Sequence, residues 1–229
     1  GRITAPLHQH LAAQPDQHEV PGRDLRREDD VARDEGLQAE QRPAAEEERG
    51  HEGRDGDGVA EERFMFLEKQ QQPFGMALLN GTFYVGNADG LISFDYASGD
   101  TKLERNKRKL ADFKPGGHWT RSLLLSPDRT KLYAGVGSLS NIADDGMEAE
   151  KGRACIYEVD LKSGDSRIFA SGLRIPVGLA WEPTTGALWT VVNERDGIGD
   201  ETPPDYLTTV QDGGFYGWPF CYWGQTVDA

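Results

Sequence analysis

The sequence predicts an all-β chain built from repeated β-meanders, of the kind that form the blades of a β-propeller. Three observations support this. Short strand-like runs are separated by Gly, Pro and Asn turns, one strand pattern recurs about every 50 residues, and no helical pattern interrupts the strands. All 21 aromatic residues of the 229-residue chain lie from Phe64 onward. We therefore predict that the folded part is residues 64–229.

The repeat has an apolar strand, a Pro or Gly turn, an aromatic strand and a further hairpin. Its middle strand begins near Phe83, Leu132 and Leu188, at spacings of 49 and 56 residues. This indicates about three blades, with a β-sandwich of short strands as the alternative. Because a closed propeller needs about four to eight blades, we predict a partial propeller and a fragment of a longer protein.

Residues 1–63 differ in composition from the rest. They contain no Phe, Tyr, Trp, Met, Cys or Lys, and carry 17 acidic residues against nine Arg. Such a segment buries too little apolar area to offset its chain entropy, so it is predicted to be disordered. Its Arg-only basic content is equally consistent with a spurious reading-frame extension.

Charge and hydropathy limit the possible partners. Residues 64–229 hold 22 acidic and 16 basic residues, which disfavours nucleic acid and suits a small neutral substrate such as a sugar. No apolar run approaches the roughly 20 residues of a membrane span. No signal peptide is visible, so a periplasmic or secreted location is expected only if the full-length protein carries one.

His118 is the only histidine after residue 63 and stands in a Gly-Gly-His-Trp-Thr-Arg segment ahead of a strand. An imidazole on a loop of a rigid scaffold suits a general base, although a lone histidine is more often structural.

Arg174 lies between a Gly-led turn and Pro176. The stiff backbone there would preorganise a guanidinium for an anion. A surface arginine at a blade junction is the alternative.

Residues 193–201 read Asn-Glu-Arg-Asp-Gly-Ile-Gly-Asp-Glu, directly after an apolar strand. A bendable acidic loop of this kind can offer calcium several oxygen ligands, or it can simply be solvated. Residues 213–224 hold six aromatics among glycines, which indicates either packing between blades or a flat surface for a planar ligand.

These motifs occur in an order that resembles the soluble glucose/sorbosone dehydrogenases, and most closely the branch labelled L-sorbosone dehydrogenase. The series is Gly-His-Trp-Thr-Arg, Ser-Pro-Asp, Gly-Leu-Arg-x-Pro-x-Gly-Leu-Ala, Asn-Glu-Arg-Asp, Pro-Asp-Tyr-Leu-Thr and Gly-Gly-Phe-Tyr-Gly-Trp-Pro. The resemblance covers roughly residues 74–224. It implies a six-bladed propeller that carries pyrroloquinoline quinone (PQQ) over its axis with calcium. It also implies oxidation of an aldose or a sugar aldehyde and an external electron acceptor.

The resemblance also implies residue roles. His118 would be the base, Arg174, Ile175 and Arg195 would contact the cofactor, and Asp196 and Gly197 would hold calcium. Two positions depart from the family pattern. Ile175 stands where Asn is common and cannot hydrogen-bond a quinone, and the carboxylate that orients the histidine is replaced within residues 137–141, where Ser138 or Asn141 could orient the ring.

Two other functions stay open from the sequence. One is a non-catalytic β-propeller binding module that has lost the cofactor. The other is a calcium-dependent sugar lactonase, although the set of carboxylate ligands it needs is not evident in the sequence.

Overall fold

A computed structural model describes residues 46–52, 62–222 and 226–228. These lie in one compact unit, residues 41–229; the chain's other unit, residues 1–40, lies outside the described residues. The described part contains strands and no helix, so no helix there could span a membrane. The all-β prediction is confirmed.

Three antiparallel meanders form the blades, and each has its strands in chain order. Blade 1 is β3 (Gly75–Leu79), β4 (Thr82–Asn87), β5 (Gly90–Asp95) and β6 (Arg108–Asp112). Blade 2 is β7 (Leu123–Leu125), β8 (Lys131–Val136), β9 (Cys155–Asp160) and β10 (Ser166–Ser171). Blade 3 is β11 (Ile175–Trp181), β12 (Leu188–Asn193) and β13 (Tyr206–Val210).

Two smaller sheets lie outside the blades. They pair β1 (Glu46–Glu52) with β2 (Glu62–Gln70), and β14 (Cys221–Tyr222) with β15 (Thr226–Val227). Strand β1 therefore falls inside the segment predicted to be disordered, and β2 begins two residues before the predicted boundary at residue 64. For residues 1–45 and 53–61 that prediction lies outside the described residues, and the domain division stays a prediction.

The blades pack face to face, as the alternation of side chains along β8 shows. Leu132, Ala134 and Val136 pack with residues of blade 1 such as Leu91 and Phe113. Tyr133, on the opposite face, packs with residues of blade 3, including Leu188 and Val192. A strand whose two faces are both buried against other sheets is typical of a middle blade.

The first strands of successive blades are neighbours: β3 contacts β7, and β7 contacts β11. The Gly75 N–H donates to the Arg121 carbonyl at 3.0 Å, and the Trp181 Nε1–H donates to the Leu125 carbonyl at 2.7 Å. In a propeller the first strands of consecutive blades lie side by side around the axis, as β3, β7 and β11 do here. The three predicted blades are therefore found. The described residues do not close the ring.

Gly135 is predicted to be intolerant of any side chain because blade 3 lies against it. A Cβ at this position of β8 would come within 2.3 Å of the Pro176 carbonyl oxygen. We expect Gly135→Ala to lower the free energy of unfolding by about 2–3 kcal/mol, as overpacking does. Urea denaturation tests this against Gly199→Ala, where nothing lies within 4 Å of the added carbon and the cost should stay within about 0.5 kcal/mol. Equal effects of the two variants would contradict the packing described.

Candidate functional site

Four polar segments meet at one end of blades 2 and 3. His118 and Arg174 precede the first strands, β7 and β11, while residues 137–141 and 194–197 follow β8 and β12. In an antiparallel pair the start of one strand lies beside the end of its neighbour. The Ser138 N–H donates to the Arg174 carbonyl at 2.8 Å and so ties the two blades together. We call these segments the loop cluster.

His118 is half-buried and held through its Nδ1 atom. Nδ1 lies 2.9 Å from Ser138 Oγ and 3.0 Å from the Ser138 carbonyl oxygen. The carbonyl can only accept, and the Ser138 hydroxyl donates its own proton to the Ser140 carbonyl at 2.7 Å. Nδ1 therefore carries the proton, which leaves Nε2 with the lone pair that a general base needs.

The environment of His118 keeps the imidazole neutral. Burial lowers the pKa of His118, the Arg174 and Arg153 charges lower it further, and a hydrogen bond with Ser138 and the Glu150 charge oppose them. At neutral pH the ring is thus in the form that can accept a proton.

Two buried arginines fix the backbone around His118, and neither of them was predicted from the sequence. Arg121 is fully buried and donates to the carbonyls of His118, Thr120, Ala88 and Lys114 at 2.8–3.1 Å. Arg153 donates to carbonyls of residues 114–116 and to the Ser138 carbonyl at 3.1 Å. Burial lowers the pKa of Arg121 to about 10 and also lowers the pKa of Arg153.

The loops themselves approach closely at glycines. Gly117 has φ +57°, and a Cβ there would come within 2.3 Å of the Leu139 carbonyl. A Cβ at Gly137 would lie 2.6 Å from His118 Cβ and 3.3 Å from Ile175 Cγ2. Ile175 thus supplies an apolar neighbour to the His118 loop, and its side chain has no group for hydrogen bonding.

Arg174 is buried and engaged by protein oxygens. Its Nε donates to the Asn141 carbonyl at 3.1 Å, and Nη2 donates to Asn141 Oδ1 at 2.7 Å. Nη1 donates to the Glu194 carbonyl, and Nη2 lies 3.3 Å from the carboxylate of Asp196, whose side chain is 87% exposed. Burial lowers the pKa of Arg174 in spite of that partner.

Asn141 connects the elements of the loop cluster. Besides accepting from Arg174, its Oδ1 accepts from the Asp196 N–H at 2.9 Å and its Nδ2 donates to the Asp196 carbonyl at 3.0 Å. The Trp218 Nε1–H donates to the Asn141 carbonyl at 3.1 Å. One residue of the aromatic-rich run, Trp218, is therefore buried structural support for the cluster.

Asp196 and Gly197 lie at the exposed rim of the cluster, next to Arg195, whose side chain is only 13% exposed. Arg195 pairs with Asp228 through Nη1 and donates from Nε to the Asp196 carbonyl at 3.3 Å. Two donors thus already occupy the Asp196 carbonyl oxygen. Gly197 has φ +89° and open space around it. The described residues contain no group of three or more His, Cys, Asp or Glu suited to a metal ion.

Fold and site together define the class of protein: a β-propeller whose polar loops gather a neutral histidine and a buried arginine where the inner strands begin. The chain belongs to the TrAA12-like family, whose sequence model matches residues 49–227. The family resemblance predicted from the sequence is thereby confirmed at the level of PQQ-dependent sugar dehydrogenases and their relatives.

Curated relatives and solved structures agree with this assignment. A pyrroloquinoline quinone-dependent sugar dehydrogenase of Hypocrea jecorina (strain QM6a) is 25% identical over 169 residues, covering 62% of this chain and 39% of the relative. The iodide structure of the Trichoderma reesei Carbohydrate-Active Enzymes family AA12 protein gives a TM-score of 0.66 at 23% identity, covering 76% of this chain and 51% of that one. The holo form of the pyranose dehydrogenase PQQ domain from Coprinopsis cinerea gives 0.63 at 22% identity, covering 76% and 49%. The chain thus spans about half the length of these structures and less of the curated relative.

Proposed function

We propose that this chain is the part of a PQQ-dependent sugar dehydrogenase that carries the catalytic base. The observation that supports this most is the fixed tautomer of His118, with Nδ1–H held by Ser138 and Nε2 free, in a loop cluster that also contains Arg174. The substrate class is an aldose or a sugar aldehyde such as sorbosone. Turnover then requires an external electron acceptor.

The charges of the loop cluster fit an anionic cofactor. PQQ carries three carboxylates, and Arg121, Arg153 and Arg174 place three buried cations around the His118 loop. The buried carboxylates there are Glu150 and Glu194, and burial raises the pKa of Glu194. Among these buried side chains cations outnumber carboxylates by three to two, whereas Asp196 and Asp205 at the edge of the cluster are exposed. The excess of buried cations favours binding of an anion.

In the proposed mechanism His118 Nε2 accepts the proton of the sugar hydroxyl as the carbon–hydrogen bond of the same carbon breaks. Bound PQQ would supply the acceptor for the hydride. Ser138 holds the ring so that Nε2 faces the substrate and Nδ1 keeps its proton throughout. The imidazolium formed transiently is then stabilised by the Ser138 oxygens.

Arg174, Ile175 and Arg195 are our proposed cofactor contacts. Arg174 can turn part of its guanidinium toward a cofactor carboxylate if Asp196, its one exposed acidic partner, gives way. Ile175 offers only apolar contact. Arg195 would act as a second cation, from a largely buried position beside Asp228.

Asp196 and Gly197 remain our proposed calcium residues, and the fit is incomplete. Calcium takes six to eight oxygens, whereas the Asp196 carbonyl accepts two hydrogen bonds here and the described residues provide no acidic cluster. No step of the mechanism above depends on calcium.

A non-catalytic binding module is the second candidate function. The observation in its favour is that Nε, Nη1 and Nη2 of Arg174 all already have protein acceptors. The lactonase alternative has less support, because the described residues lack a set of carboxylates that could hold calcium.

Cofactor titration distinguishes the first two functions. PQQ added to the full-length protein should raise its melting temperature, increasingly so as the PQQ concentration rises, since a ligand that binds only the folded state stabilises it. Arg174→Met should weaken this effect, whereas Arg108→Met, at an exposed position of β6, should leave it intact. No thermal shift at PQQ concentrations far above that of the protein would favour the binding module.

The pKa of His118 should respond to Arg174 in a defined direction. In the cofactor-free protein the pKa of His118 should lie below 6.5, and Arg174→Met should raise it because the cation that disfavours imidazolium is gone. When the solution is acidified, His118 should therefore become protonated at a higher pH in Arg174→Met than in the wild type. NMR titration of the imidazole measures both values, with Arg195→Met as the control that leaves the pKa of His118 in place. An unchanged or lower pKa in Arg174→Met would contradict the electrostatics described.

A further inference from the structure

Glu150 is a buried carboxylate that the mechanism above does not use. It lies in the turn region between β8 and β9 and is 4% exposed. Its Oε2 accepts from the Leu139 N–H at 2.7 Å, and its Oε1 accepts from the Ser140 N–H at 3.0 Å and the Ser140 hydroxyl at 2.8 Å. Three donors from two adjacent residues fix both the carboxylate and the loop that it holds.

That loop is the one that orients His118. The Ser140 carbonyl accepts the Ser138 hydroxyl at 2.7 Å, and Ser138 Oγ in turn accepts from His118 Nδ1 at 2.9 Å. Hydrogen bonds therefore link the carboxylate to the N–H and hydroxyl of Ser140, and link the Ser140 carbonyl through the Ser138 hydroxyl to the imidazole, with the Ser140 backbone joining the two parts of this chain. Reversing the Ser138 hydroxyl would break its bond to Ser140, so the chain also selects the tautomer with Nε2 free.

We propose that Glu150 is the positioning residue for His118, acting through Ser140 and Ser138 in place of a carboxylate that touches the ring. The effect on rate rests on the proposed function. The expected changes in the pKa and the tautomer of His118 do not depend on the proposed function, because they follow from the hydrogen-bonded chain alone.

The charges that face His118 give Glu150 a second effect on the same ring. Arg174 and Arg153 lower the pKa of His118, and Glu150 opposes them. These three charged groups come from the start of β11, from the segment before β9 and from the turn between β8 and β9. Removing the Glu150 charge leaves both cations unopposed, while removing its acceptors frees the Ser138–Ser140 loop.

The test is Glu150→Gln in the full-length, cofactor-free protein, observed by 15N NMR of the imidazole. We expect the pKa of His118 to fall, because a charge that favours the imidazolium is removed, and the population of the Nδ1–H tautomer to decrease. The matched control is Glu148→Gln, which removes an exposed carboxylate two residues away and should change neither quantity. Resonances are assigned with His118→Gln.

Kinetics add a second readout if the protein oxidises sugars. Glu150→Gln should lower kcat about tenfold with KM little changed, and should cost less than twofold when added to His118→Ala, because it acts through that ring. If Glu150→Gln changes the pKa and the tautomer of His118 no more than Glu148→Gln does, the proposal is overturned, whether or not the protein is a dehydrogenase. A changed imidazole in a protein without sugar oxidation would leave the positioning role standing and refute only the proposed function.

If Glu150→Gln does not fold, Ser138→Ala interrupts the same chain and leaves the contacts of Glu150 in place. It should reduce the Nδ1–H preference in the same direction but by less, because the Ser138 carbonyl still accepts from Nδ1 at 3.0 Å. A wild-type tautomer ratio in Ser138→Ala would overturn the proposal.

Discussion

Replacing His118 by Ala in the full-length protein is expected to lower kcat by a factor of about 10²–10⁴, the range that a general base contributes. The reason is local: Nε2 is the ring atom left free by the hydrogen bonds of Nδ1 to Ser138, and no other histidine occurs after residue 63. Steady-state dye reduction with an aldose and PQQ measures the effect.

Two controls separate the loss of a base from a loss of structure. The melting temperature of His118→Ala in the absence of cofactor should change little, since the ring is only half-buried and Arg121 still holds the backbone. His118→Gln should be as inactive as the alanine variant because an amide cannot accept the proton. A variant that keeps the wild-type rate would show that the base lies elsewhere.

Arg121→Met is expected to give the largest loss of stability, about 3 kcal/mol or more. The guanidinium is fully buried, and it satisfies four carbonyls that come from both blade 1 and the His118 segment. Methionine matches the length of the side chain but offers no donor, so those acceptors lose a charge-assisted partner without gaining water. The midpoint of urea denaturation should fall with little change in its slope.

The control for Arg121→Met is Arg108→Met, on the exposed strand β6, whose effect should stay within about 0.5 kcal/mol. Arg121→Lys should lie between the two because an ammonium cannot reach four separated carbonyls. Stability as high in Arg121→Met as in Arg108→Met would contradict a structural role for this buried cation.

Most of the fold could be predicted from sequence because the signals are local. Asn80-Gly81 and Asp89-Gly90 mark hairpins, and the spacing of Phe83, Leu132 and Leu188 marks successive blades. The exact start of the folded part, by contrast, cannot be read from composition. Composition indicates where a core can form, but it does not report a strand such as β1, whose pairing with β2 depends on partner backbone.

The buried side chains that hold the His118 loop in place could not be predicted, because their contacts join segments that lie far apart in the sequence. Arg121 reaches Ala88 across 33 residues, and Arg174 reaches Asn141 across 33 residues. Arg153 and Glu150 stand in a turn with no motif, and only the fold brings them to the His118 loop. Ser138 was foreseen as a possible orienting group, and the structure places it at hydrogen-bonding distance from the ring.

Reconstitution is the measurement that tests the central claim most directly. Purified full-length protein is incubated with PQQ and calcium, and reduction of an external dye is followed on addition of aldoses and sugar aldehydes. We predict sugar-dependent reduction that requires PQQ and is at least about 100-fold slower in His118→Ala. Dye reduction that is independent of PQQ, or none with any sugar despite saturation by PQQ, would contradict the assignment of this propeller as a quinoprotein dehydrogenase.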